Sequence, residues 1–157
     1  MWWLVIDHND TDLFDGEEVS LDLFIRYGTM SIGLDNRDPV GEGDELWVFE
    51  RTFRRASGLA RAASSPYRSG RRWWLDVTMD LKATKQLRRS PVRPSERVFR
   101  YEPYRYGAKD PWMVRMHLSD LSMMRNHLQR LARVPDIYPG SRHPSGPSPS
   151  APLGPPP

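Results

Sequence analysis

Apolar and polar residues alternate through much of this chain, and the alternation predicts short β-strands. Trp2 to His8 is a β-rich apolar run. Leu21 to Tyr27 places Leu21, Leu23, Ile25 and Tyr27 on one face and Asp22, Phe24 and Arg26 on the other, so it reads as a strand. Gly28 then permits a turn into a further strand over 30–34. The clearest pattern spans Arg72 to Lys82. There Trp73, Leu75, Val77, Met79 and Leu81 share one face, and Trp74, Asp76, Thr78, Asp80 and Lys82 share the other. Strict alternation of this kind marks a strand with one buried and one wet face. Glu45 to Glu50, a weaker Gly58 to Ala63, Val98 to Tyr104 and Trp112 to Leu118 complete the set, kept short by Pro91, Pro94, Pro103, Gly107 and Pro111.

Near the C-terminus the period changes. Leu121, Met124, Leu128 and Leu131 recur at helical spacing behind Ser119, which suits an N-cap, and Asp120 favours the dipole of the first turn. Pro135 ends this helix. From Pro135 to Pro157 nine of 23 residues are proline, a composition that cannot bury enough apolar surface to offset its ordering entropy. The expectation is therefore one folded domain over residues 1–134 and a disordered proline-rich tail over 135–157. Its class is mainly β (α+β): a small, strongly curved sheet or barrel of six or seven strands with one C-terminal amphipathic helix.

Composition removes several function classes. There is no cysteine, so disulfide scaffolds, zinc ribbons, iron–sulfur clusters and thiol catalysis fall together. No apolar run approaches the ~20 residues of a membrane span, and Met1 to Asp7 lacks the basic start and cleavage site of a secretory signal. The cytoplasm is the default location, and no membrane partner is expected.

The net charge of +3 conceals an asymmetry. Residues 1–50 hold thirteen acidic side chains and only Arg26 and Arg37 as bases, whereas residues 51–157 hold 21 bases against seven acids. A basic half suits an anionic partner, and an acidic half suits a basic protein. The acidic run from Asp7 to Glu18 fails as a hand-type calcium loop. With Gly16 at the sixth position, Thr11 and Leu13 would stand where ligands are needed. His8, His117, His127 and His143 show no metal-ligand spacing, and no nucleophile elbow, Walker loop or dinucleotide fingerprint occurs. No cofactor or metal is expected, and catalysis is the minority reading.

The strongest local signal is arginine interleaved with aromatic residues. Arg71 and Arg72 run into Trp73 and Trp74, while Arg51, Arg54 and Arg55 follow Trp47 and Phe49. Bases stack on aromatic faces and guanidinium groups fork phosphates, so the mixture points to RNA or DNA. Trp73 belongs to the apolar face and hence to the core. Trp74 is the only large apolar group on an otherwise polar face, and such a group wants a partner.

The order of the pieces carries a resemblance over about residues 2–118. A tryptophan-bearing first strand is followed by Gly43-Asp44-Glu45-Leu46-Trp47-Val48-Phe49-Glu50, then by Gly58-Leu59-Ala60-Arg61-Ala62-Ala63 leading to Ser64-Ser65-Pro66-Tyr67. Trp73-Trp74-Leu75-Asp76-Val77 and Leu87-Arg88-Arg89-Ser90-Pro91-Val92 come next. This resembles the EVE family of PUA-like domains. The resemblance implies a pseudobarrel and non-catalytic recognition of nucleic acid, including a modified base flipped out of the strand. On that expectation Trp2, Trp47, Trp74 and Tyr67 stack on or line the ligand, and Arg51, Arg54, Arg55, Arg71 and Arg72 meet the nucleic-acid backbone. Two alternatives come from other classes. One is a small-substrate nucleoside hydrolase on the same barrel, for which Asp80, Lys82, Thr84 and Lys85 supply the residue types. The other is a protein-interaction module using the acidic N-terminal half.

Overall fold

A computed structural model describes residues 1–6, 21–34, 37–93 and 112–134. Its strands are β1 (Trp2–Ile6), β2 (Thr29–Leu34), β3 (Glu45–Glu50), β4 (Arg55–Ala62), β5 (Tyr67–Ser69), β6 (Arg72–Met79) and β7 (Trp112–Arg115). Three helices accompany them, α1 (Leu21–Tyr27), α2 (Leu81–Arg89) and α3 (Leu118–Arg133). The strands form one mixed sheet in the order β2-β6-β4-β3-β1-β7, with β5 paired to β6. β1 runs parallel to β3, and every other pairing is antiparallel. The sheet curls into a half-barrel, so the fold is mainly β.

Side-chain alternation divides the apolar residues into two clusters. Trp2, Leu4 and Ile6 of β1 point to the inside of the curl with Leu46, Val48, Ile32, Leu75, Val77 and Phe24 of α1. Trp3 and Val5 point outward with Trp47, Phe49 and Leu59, where Leu87 of α2 and Leu121 and Met124 of α3 cover them. Trp3 meets Phe49 edge-on, with ring centroids 6.0 Å apart, the arrangement aromatic quadrupoles favour. The inner cluster draws on β2 and β6 as well, but the outer one does not. Among the described residues, helices therefore cover the outer surface of β1, β3 and β4 and leave that of β2, β5 and β6 bare.

Three expectations need correction. Leu21 to Tyr27 is helix α1, not a strand. Leu21 and Phe24 are buried one turn apart, and Gly28, at φ +75°, donates its N–H to Phe24 O at 2.9 Å to stop the helix. A seven-residue stretch whose apolar positions satisfy both periods is decided by what it packs on. The β6 strand ends at Met79, not Lys82. Asp80 accepts a hydrogen bond from Ala83 N at 3.0 Å and caps α2, which buries Ala83, Thr84 and Leu87 and leaves Leu81 exposed. Finally, α3 starts two residues earlier than expected. His117 Nδ1, not the Ser119 side chain, accepts the capping bond, from Ser119 N at 3.2 Å. The fold thus has three helices where one was expected. The expected strand over Val98 to Tyr104 and the proline-rich tail lie outside the described residues.

Candidate nucleic-acid interface

The bare outer face is built by register. β6 pairs with β2 so that Thr78 lies opposite Thr29, Asp76 opposite Ser31, and Trp74 opposite Gly33. On its other side β6 pairs with β5, setting Trp74 opposite Tyr67 and Arg72 opposite Ser69. One strand face therefore presents Arg72, Trp74, Asp76 and Thr78 in a row, while Trp73 turns inward against the inner cluster. Trp74 is half-buried and Tyr67 is 39% exposed.

Local bonds fix this face. Trp74 Nε1 donates to Ser69 O at 3.3 Å, drawing the indole toward the β5–β6 turn. Tyr67 Oη donates to Asp76 Oδ1 at 2.9 Å, so the phenol leans the other way along the strand. Ser31 Oγ donates to the same oxygen at 2.6 Å. Arg72 carries its guanidinium carbon 5.9 Å from the Trp74 ring centroid and folds over Gly33, where no side chain obstructs it. Arg61 and Arg71 are exposed nearby, Arg61 opposite Thr78 and Arg71 in the turn before β6. The result is an aromatic pair, a held carboxylate and three guanidinium groups on one surface that no described helix covers.

Of the aromatic residues expected to stack on a ligand, Trp74 and Tyr67 are brought together and Trp2 and Trp47 are not. Trp2 is 4% exposed in the inner cluster, its Nε1 donating to Asp44 Oδ2 at 3.0 Å. Trp47 is 1% exposed beneath α3, with Nε1 donating to Glu45 Oε1 at 3.1 Å. β1 and β3 are central strands with both faces covered, so alternation gives their tryptophans no free face.

The arginines separate likewise. Arg71 and Arg72 adjoin the aromatic pair. Arg51, Arg54 and Arg55 lie at the β3–β4 turn, at the end of β4 away from the residues that pair with β6. Arg55 pairs there with the buried Glu50 at 2.8 Å and lies over the Phe53 ring at 4.7 Å. Ser57 also donates to Glu50.

The residue types of the hydrolase alternative do not converge. Asp80 is a helix cap, and Lys82 and Lys85 are exposed on α2. Thr84 is buried, accepting from Leu59 N at 3.1 Å and donating to Leu59 O at 3.2 Å. The acidic run over 7–20 lies outside the described residues. Sequence patterning singled out Trp74 but not Asp76, Ser31 or Gly33. Those three become neighbours only through the β2–β6 register, which no short motif encodes.

Among the described residues no group of three His, Asp or Glu side chains could hold a metal ion, and no helix is long and apolar enough to cross a membrane. No protein-family model, curated protein or solved structure matches the chain.

Proposed function

We propose that this chain is a non-catalytic nucleic-acid-binding module that takes single-stranded RNA or DNA on the outer face of β2, β5 and β6. The carrying observation is the cross-strand pair Tyr67–Trp74, left uncovered by the described helices and flanked by Arg61, Arg71 and Arg72. Base stacking on such a ring is worth ~1–3 kcal/mol per base, and arginine supplies the phosphate contact. Two aromatic rings beside a carboxylate would also suit a methylated ammonium group. Here Arg72 already sits over the Trp74 ring and two more guanidinium groups stand close, so a cation is repelled and a neutral base flanked by anionic phosphates is favoured.

The curled mixed sheet is, on this proposal, a PUA-like pseudobarrel of the EVE type. Support comes from the Gly43-Asp44 pair opening β3 and the small-residue strand β4. A nucleic-acid ligand goes with a cytoplasmic location.

The test is binding of fluorescently labelled single-stranded oligonucleotides, with and without modified bases, across a salt series. Intrinsic tryptophan fluorescence should be quenched on binding and the quenching lost in Trp74→Phe. Replacing Arg71 and Arg72 together with alanine should flatten the slope of log K against log salt by about 1.4, the share of two phosphates on a single strand. An unchanged slope overturns this placement, and absence of binding at low salt overturns the function.

A further inference from the structure

Asp76 stands one pleat from Trp74 on the same face, and the bonds from Tyr67 and Ser31 both fall on its Oδ1. Among the described residues its Oδ2 accepts no bond. The carboxylate is thus held by two hydroxyl groups on one oxygen and offers the other beside a stacking platform. We propose that Asp76 selects the base: a ring stacked on Trp74 is preferred when its polar edge presents an exocyclic amine, and uracil or thymine is disfavoured. This inference rests on the nucleic-acid reading above.

The chemistry is that of donors meeting an acceptor. Cytosine N4 and adenine N6 each carry an amino group that donates to a carboxylate oxygen, and guanine offers N1–H and N2–H together. Uracil and thymine show one N3–H between two carbonyl oxygens, and either oxygen brought against Oδ2 is repelled. Asparagine at this position keeps an oxygen to accept from Tyr67 and Ser31 while putting an NH₂ group where Oδ2 stood. That group donates to a carbonyl and tolerates uracil.

The experiment compares labelled oligo-C, oligo-A and oligo-U of equal length against the full chain and Asp76→Asn, with near-ultraviolet circular dichroism confirming that both proteins are folded alike. The wild-type protein should bind oligo-C and oligo-A about tenfold more tightly than oligo-U. In Asp76→Asn that ratio should fall to within about twofold, mainly through tighter oligo-U binding. Equal wild-type affinity for all three overturns the selectivity and leaves the nucleic-acid reading standing. A preference that survives in Asp76→Asn overturns the role of Asp76. Failure to bind any of the three overturns the reading on which the inference rests.

Discussion

Arg125 and Glu45, eighty positions apart, are joined by a two-pronged ion pair that fastens α3 to the first residue of β3. Arg125 Nη2 donates to Glu45 Oε2 at 2.7 Å and Nε donates to Oε1 at 3.2 Å, the oxygen that also accepts from Trp47. Burial pushes the Glu45 carboxyl up, but the Arg125 bond and charge outweigh it, with help from Trp47 and Arg61, and hold it below the usual glutamate range.

Replacing Arg125 should therefore change how stability depends on pH. A depressed folded-state pKa contributes stability that is fully present above the unfolded value, about pH 4.3 for glutamate, and is lost as pH falls through the folded value. In Arg125→Met the bond and charge that most depress Glu45 are gone, while burial and the smaller pulls of Trp47 and Arg61 remain, so the carboxyl should be less depressed than in the parent protein. Urea midpoints measured from pH 3 to 7 should show the variant losing less stability on the acid side, so that the gap between the two proteins is widest near neutral pH and closes as pH falls. Because Arg125 is nearly half exposed, the effect at neutral pH should be no more than about 1 kcal/mol.

Asp44 gives the second prediction. Its Oδ2 accepts from Gly41 N and Trp2 Nε1, both at 3.0 Å. The Gly41 bond is the main cause that holds the carboxyl low, against burial and with help from Trp2. Asp44→Ala strands the N–H of a tryptophan that is 4% exposed, at a cost of about 1–3 kcal/mol. Asp44→Asn keeps an acceptor and should cost less. Urea denaturation followed by tryptophan fluorescence checks the order, and equal midpoints for the two variants would remove this bond from the account.

A third prediction concerns how α2 docks. Thr84 is buried and bonds both backbone groups of Leu59. Thr84→Val has nearly the same shape yet strands the Leu59 N–H, so it should destabilise by about 1–3 kcal/mol. Thr84→Ser retains the hydroxyl and should lose only the packing of a methyl group, roughly 1 kcal/mol. Thermal unfolding of the pair separates a hydrogen-bond effect from a volume effect, and a larger loss in Thr84→Ser would refute it.

How legible this fold is in the sequence varies with how many neighbours decide each element. β6 was readable through Met79, because strict alternation over eight residues leaves one interpretation, and it correctly sets Trp73 inward and Trp74 outward. The Leu121, Met124, Leu128 and Leu131 stripe of α3 was readable for the same reason. α1 was not, since in seven residues periods of 2 and 3.6 fit the same apolar positions and burial of Leu21 and Phe24 breaks the tie. α2 was missed because the capping role of Asp80 hides inside an apparent continuation of the strand. For the interface, exposure separates tryptophans that composition treats alike. Trp2 and Trp47 sit on strands covered on both faces, Trp74 on the outer face of the half of the sheet that no described helix covers.

Gly33 supplies the last prediction, because substituting it links packing to binding without replacing a proposed contact residue. A Cβ placed there would lie 2.5 Å from Arg72 Cζ, the far end of a flexible side chain, so the guanidinium must swing away while the β2–β6 backbone stays in register. Alanine replaces glycine in a strand interior with a gain of roughly 0.5–1 kcal/mol in backbone entropy. Gly33→Ala should therefore hold or slightly raise the thermal midpoint. Moved off Gly33 and the Trp74 ring, Arg72 can no longer guide a phosphate beside a stacked base, and single-strand affinity at low salt should fall several-fold, ~1 kcal/mol. Oligonucleotide titration beside thermal unfolding reads both quantities. If affinity is retained while the fold is unchanged, the position of Arg72 over Gly33 plays no part in binding, and the phosphate contact belongs to Arg61 and Arg71.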